Sequence, residues 1–225
     1  MIKAILDDPS IIVEGIVQQV SDAKDEKGLA YCTGYTAGLI AQMVLLKKVK
    51  GGSGAEGGID SGLTQSKIDE ILSIDKGKRP DPSTYLSSEY IEQHLKQFDN
   101  GGSFVMTKKQ YMRFVEGNPY IGCPDNTQFI APKDFMDKID NIANGDISIY
   151  EKKLGFDDGH FSADGGLVRF DIKDAKSLNV RIPSGNEFGA NEHWIPGGYT
   201  DGGTAEAIID NIPNNDDFVD IIFLR

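Results

Sequence analysis

Cysteine, histidine and tryptophan are scarce in this chain, with two, three and one among 225 residues. Two cysteines, Cys32 and Cys123, supply neither a disulfide framework nor the paired spacing of a zinc site, and they read as structural thiols. Cations are short as well: 23 Lys and Arg against 35 Asp and Glu leave a formal charge of −12. A surface that tracks phosphates needs clustered Lys and Arg, so general nucleic-acid binding is not expected. Motifs are missing too. There is no phosphate loop, GxSxG elbow, HExxH or CxxC. The glycines from Gly51 follow no strand and read as linker rather than as a dinucleotide fingerprint. Lys3, Asp7 and Asp8 interrupt the start, so no cleavable secretory signal is expected.

What is present divides the chain. Ile11, Ile12, Ile16, Val17 and Val20 lie on one helical face. Residues 29–46 then carry no charge, and Gly34 and Gly38 sit at the spacing that lets two helices approach closely. Residues 1–50 therefore read as a helical hairpin whose second half is a candidate for membrane contact. Residues 51–62 are a Gly-rich linker by composition. Residues 63–225 form one further domain. Helices are expected at 64–74 with Thr64 as cap, after Ser87 or Ser88, at 108–115, from Pro132 with Phe135, Met136, Ile139 and Ile142 on its face, and at 147–154. Strands are expected at 103–106, 127–131, 167–172, 205–210 and 217–224. Helices come first and strands later, which implies an α+β fold with a small, mainly antiparallel sheet built from the C-terminal strands.

Two stretches carry candidate chemistry. Asp157, Asp158 and Asp164 have a spacing like a calcium loop, but the closing bidentate Glu is missing. A capped turn explains them, and no metal is expected. The second stretch, from Arg181 to Gly198 and on through Glu206, holds the sole tryptophan and is too rich in Gly and Pro for a regular element. Long irregular loops in compact domains are usually functional. Arg169 and Arg181 suit a pyrophosphate or carboxylate, and Ser184, Asn186 and Asn191 offer neutral hydrogen-bonding groups. Trp194 and His193 offer flat surfaces for a ring, and Gly197 and Gly198 allow close backbone approach. Glu187, Glu192 and Glu206 are candidate carboxylates for acid–base work.

The run from Arg181 to Gly198, with Gly202 to Ile209 after it, resembles the tails of secreted bacterial polymorphic toxins of the Rhs, contact-dependent inhibition and LXG types. The stretches starting at Tyr90, Phe129, Leu154 and Leu167 resemble them too, so the likeness covers about residues 85–210. It implies an antibacterial effector, delivered to the cytoplasm of a target cell, with a cognate immunity protein as partner. The last sixty residues also resemble the C-terminal half of an ADP-ribosyltransferase-type NAD-binding fold. That resemblance implies NAD as substrate, with Arg169 or Arg181, Ser184 and Glu206 in the site; from their side-chain chemistry, Glu187 and His193 are expected as further catalytic residues beside Glu206 and Arg181. Two other readings stand beside it. One is a metal-independent ribonuclease using His193 or His160 with Glu187 and Arg181; the other is a non-enzymatic effector acting on membranes through residues 29–46.

Overall fold

The computed structural model describes residues 61–161, 166–201 and 203–224. The expected N-terminal hairpin, with residues 29–46, and the linker up to residue 60 lie outside the described residues. Helix α1 (Gln65–Leu72) starts where the Thr64 side chain accepts from the Lys67 N–H, and α2 (Ser88–Leu95) where Ser87 accepts from the Tyr90 N–H. Strand β1 (Gly102–Thr107) runs straight into α3 (Lys108–Phe114) through a reciprocal cap between Thr107 and Gln110. After β2 (Tyr120–Ile121) and β3 (Gln128–Pro132), Pro132 ends the strand and caps α4 (Lys133–Ala143) instead of opening it. Helix α5 (Ile147–Leu154) is capped by Asp146 and closed by Gly155 in the left-handed region. The strands β4 (Leu167–Ile172), β5 (Trp194–Ile195), β6 (Tyr199–Thr200), β7 (Ala207–Ile209), β8 (Ile212–Pro213) and β9 (Val219–Phe223) complete the chain.

The fold is α+β, and its main sheet is antiparallel with the order β7-β3-β1-β4-β9. One expectation is corrected here. The sheet is not built from the late strands alone, because β1 lies at its centre and β3 separates it from β7. Helices and strands interleave along the chain; β9 pairs directly with β4, but β7 joins the sheet only through β3.

Both faces of the sheet are covered. Phe104, Met106, Val168, Phe170 and Ile172 point into one core with Phe98, Val115, Leu178 and Ile212. Phe104 and Phe170 are register partners, and their rings stack at 4.6 Å. The alternate residues Val105 and Leu167 face Met136 and Ile139 of α4 and Tyr150 of α5. Ile142, expected on the apolar face of α4, is instead 63% exposed. Met136, Ile139 and Ala143 form that face, and Ile142 turns past its edge.

On the α4 side, the pleat also brings charged residues inward. The Arg169 side chain is 3% exposed and its guanidinium donates to Asp137 and Asp140 of α4 and to Asp171 of its own strand. Ser103 donates to Asp171, Tyr150 to Asp140, and Lys133 pairs with Asp137. Burial opposes the charge on Arg169, but the three carboxylates outweigh it and raise its pKa above the ordinary arginine value. Cys123 is buried, and Cys32 lies outside the described residues.

Removing Arg169 strands carboxylates between α4 and the sheet. Arg169→Met is therefore expected to cost about 3–5 kcal/mol in urea unfolding, whereas Arg181→Met, whose side chain is 37% exposed, costs at most about 1 kcal/mol. On the acid side, burial works against ionisation of Asp137, yet Arg169 and Lys133 hold its pKa below 3.8. Its stabilisation is complete above that pH and fades as pH falls through the lowered value, a loss that the Met variant, which keeps only Lys133, will show to a smaller extent. Equal destabilisation by the two arginine variants would remove the cluster from its structural role.

Candidate functional site

The segment that stands out in the sequence is an ordered wall. Arg181 exchanges backbone hydrogen bonds with Ile208, and β5 and β6 form a hairpin turned by Gly197 and Gly198, both at positive φ. Trp194 is 2% exposed, with the Arg79 guanidinium 4.8 Å above its ring. A Cβ on Gly185 would lie 2.6 Å from the same ring and from Arg79, so only glycine fits there. Trp194 thus packs inside the wall.

Most of the expected ligand-binding side chains hold this wall together. Glu187 accepts from the Ser184 N–H, the Ser184 hydroxyl and the Gly185 N–H. Asn186 accepts from the N–H groups of Gly77 and Arg79 and donates to the Arg79 carbonyl. Asn191 donates to the Gly155 carbonyl and accepts from the His193 N–H. The Gly197 carbonyl accepts from the Tyr90 hydroxyl. Arg181 pairs with Asp210 at 2.8 Å, and Arg169 is enclosed in its carboxylate cluster.

A half-open pocket of about 110 Å³ lies behind the wall, and of the expected residues Glu206 lines it. Its origin is a splay in the sheet. Strand β1 pairs with β4 over six residues but with β3 only at Gly102↔Pro132 and Ser103↔Ala131. Beyond Ser103 the two strands part, and the space between them is lined by residues 103–106 of β1 and 128–131 of β3, with Leu154 and Phe156. Thr200 and Thr204 add hydroxyls to the lining, although Thr204 donates to the Lys153 carbonyl.

Glu206 is held by its backbone. Its N–H donates to the Gly198 carbonyl at 2.8 Å, and its own carbonyl accepts from His94 Nε2 at 2.9 Å. A carbonyl only accepts, so His94 carries its proton on Nε2. Burial lowers the His94 pKa, keeping the ring neutral, although the bond to Glu206 works the other way. The residue is half-buried, but its Oε2 is fully shielded and meets no donor. Burial, aided by the negative charges of Asp201 and Glu187 and opposed by His193, pushes the Glu206 carboxyl up to about 8. At neutral pH it is a neutral acid in an apolar wall.

His193 behaves in the opposite way. Its Nδ1 lies 2.7 Å from Asp201 and its Nε2 3.3 Å from Asp157. The bond to Asp201 raises it to about 9 against the effect of burial, so it is an imidazolium. Asp157, Glu192 and His193 present ligand atoms within 4.8 Å of one another. The turn at Asp157 is closed by Glu151, whose carboxylate accepts from the Gly159 and Phe161 N–H groups; residues 162–165 lie outside the described residues. His160 stacks on Phe156 at 4.6 Å, and burial lowers its pKa.

Sequence reasoning passed over His94, Phe129 and Phe156. A signal for His94 existed, since Tyr90, His94 and Phe98 recur at helical spacing and their rings contact in series. Phe129 and Phe156 belong to segments that read as ordinary core. No protein-family model matches the chain, and no curated protein matches it.

Glu206 makes stability depend on pH with a definite sign. Its carboxyl titrates near 4.5 when unfolded and at about 8 when folded. The folded state therefore holds the extra proton in that window, and stability is highest below 4.5 and falls as pH rises through 8. Glu206→Gln removes the titration. Thermal melts are expected to match wild type near pH 4 and to be higher by at least about 2–4 °C near pH 9, the shift for roughly 1 kcal/mol in a chain this size. Parallel curves for the two proteins across the range would show that the carboxyl is not held neutral.

Proposed function

We propose that this chain is an antibacterial effector toxin whose 63–225 domain cleaves the glycosidic bond between nicotinamide and ribose in NAD. One observation carries the reading: Glu206 lines a ring-sized, largely apolar pocket, and its shielded Oε2 meets no donor. In this scheme the nicotinamide ring enters the pocket and places the ribose C1 beside Glu206. The C1–N bond breaks with its electron pair passing to the ring, which leaves neutral. An oxocarbenium centre develops at C1, and the ionised carboxyl stabilises it in a low-dielectric setting. Water supplies the new oxygen and releases a proton, giving ADP-ribose. Transfer to a macromolecular acceptor in place of water is the ADP-ribosyltransferase variant of the same step.

The pocket also alters the roles implied by the resemblance. Glu206 keeps the part of the reacting carboxylate, while Ser184, Asn186, Glu187 and Asn191 serve as positioning residues through the wall they build. The ribonuclease reading has less support. His193 is bracketed by Asp157 and Asp201, and His160 packs on Phe156, a setting unsuited to a polyanion. Among the described residues no helix is long and apolar enough to cross a membrane, and residues 29–46 lie outside them. We propose delivery into the cytoplasm of the target cell and a cognate immunity protein that blocks the mouth of the pocket.

Incubating the purified chain with NAD and following nicotinamide by chromatography tests the enzymatic claim. Turnover is expected in wild type, with a fall of about 10²–10³ in Glu206→Gln, the usual cost of removing one electrostatic stabiliser of the transition state. Arg181→Ala is expected to stay near wild type. Absence of nicotinamide release from wild type, or an unaffected Gln variant, would end the NAD reading.

A further inference from the structure

The chemistry of the pocket wall is unusual for a site that holds a neutral molecule. Phe129 and Phe156 bring aromatic side chains to the lining, while the Phe104 ring stacks on Phe170 behind it; Glu206 lines the same space, and its Oε2 meets no donor. Aromatic faces attract cations through their quadrupole, most strongly where water is excluded. A carboxyl shielded from water gains most from a fixed positive charge, because nothing else compensates its ionised form. The groups that act on it from the surrounding wall are Asp201 and Glu187, both anionic, and the His193 imidazolium, while neutral His94 holds its backbone. His193 is itself bracketed by Asp157 and Asp201, which blunts its field.

Size narrows the ligand. The 110 Å³ space is comparable to the roughly 150 Å³ apolar cavity that accepts a benzene ring. The gap between two splayed strands is a slot, which suits a plate rather than a sphere. Beyond Ser103, moreover, β1 edges the slot without a β3 partner, leaving strand backbone beside any amide substituent on the ring.

We propose that the slot between β1 and β3 is a receptor site for a flat organic cation, which pairs with the Glu206 carboxylate in place of its proton. The inference rests on the same pocket as the glycosidic reading and deepens it, because the positive charge of an N-substituted pyridinium ring becomes the feature that is recognised. It also supplies the ionised carboxylate that the bond cleavage needs: a neutral acid in the empty pocket turns into an anion when the cation arrives. Neutral nicotinamide, the leaving group, loses that partner once it forms, and the carboxyl reprotonates as it departs.

Calorimetric titration of the full chain with 1-methylnicotinamide and with neutral nicotinamide, in phosphate and in Tris at neutral pH, tests this. The cation is expected to bind at least about tenfold tighter, a difference of about 1.4 kcal/mol. Its binding enthalpy will differ between the two buffers by the amount that accompanies release of most of one proton. Near pH 9.5 that buffer dependence is expected to vanish while the cation binds more tightly, since the carboxyl is then already ionised. Glu206→Gln is expected to bind the two rings equally and to release no proton. Equal affinities in wild type, or cation binding without proton release at neutral pH, overturns the inference, and wild type alone decides it if the variant does not fold. Following NAD turnover in the same preparations separates the two claims. Turnover without a preference for the cation overturns this inference and leaves the glycosidic reading, whereas cation binding with proton release but no turnover does the reverse.

Discussion

The Arg169 guanidinium, shared among Asp137, Asp140 and Asp171, is the contact on which the rest of the domain depends. It stands on the central part of the sheet and reaches across to α4, so a single side chain ties a helix, two strands and Tyr150 of α5 into one block. A buried charge of this kind adds little net stability compared with apolar packing, because its desolvation offsets much of the attraction. What it fixes is register. The carboxylates leave no low-energy alternative for the depth or rotation of α4, since any slip exposes an unpaired charge to an apolar surface.

That rigidity on one side makes the opening on the other side possible. With β1 and β4 paired along their full length, β3 diverges after two residues without loosening the sheet. The gap is roofed by the Trp194 wall, whose own polar side chains are spent on internal ties, and floored by aromatic residues of the strands. Glu206 is carried into this space by a backbone bonded on both sides, to Gly198 and to His94. The close approach of Gly198 to His94, where a Cβ would lie 2.7 Å from Nε2, keeps the arrangement tight.

Two titrating groups with opposed behaviour then sit near each other. His193 keeps its proton because carboxylates surround it, and Glu206 keeps its proton because water does not reach it. The net charge of −12 weighs against general nucleic-acid binding for the chain as a whole.

Local physics was legible in the sequence. Thr64 and Ser87 as caps, Gly155 as a stop, the α5 helix and the β4 strand follow from short-range hydrogen bonding and side-chain period, which depend on neighbours within a few residues. The ordered nature of the segment around Trp194 was legible as well. Tertiary structure decided the remainder. Whether Arg169 binds a ligand or a helix depends on Asp137 and Asp140, some thirty residues away in the chain, and no local pattern links them. The fate of Ser184, Asn186, Glu187 and Asn191 depended on which backbone groups came within reach once the wall folded. The pocket itself is a divergence of two strands, a property of pairing between distant segments, and so His94, Phe129 and Phe156 acquired their places only when the sheet closed around them.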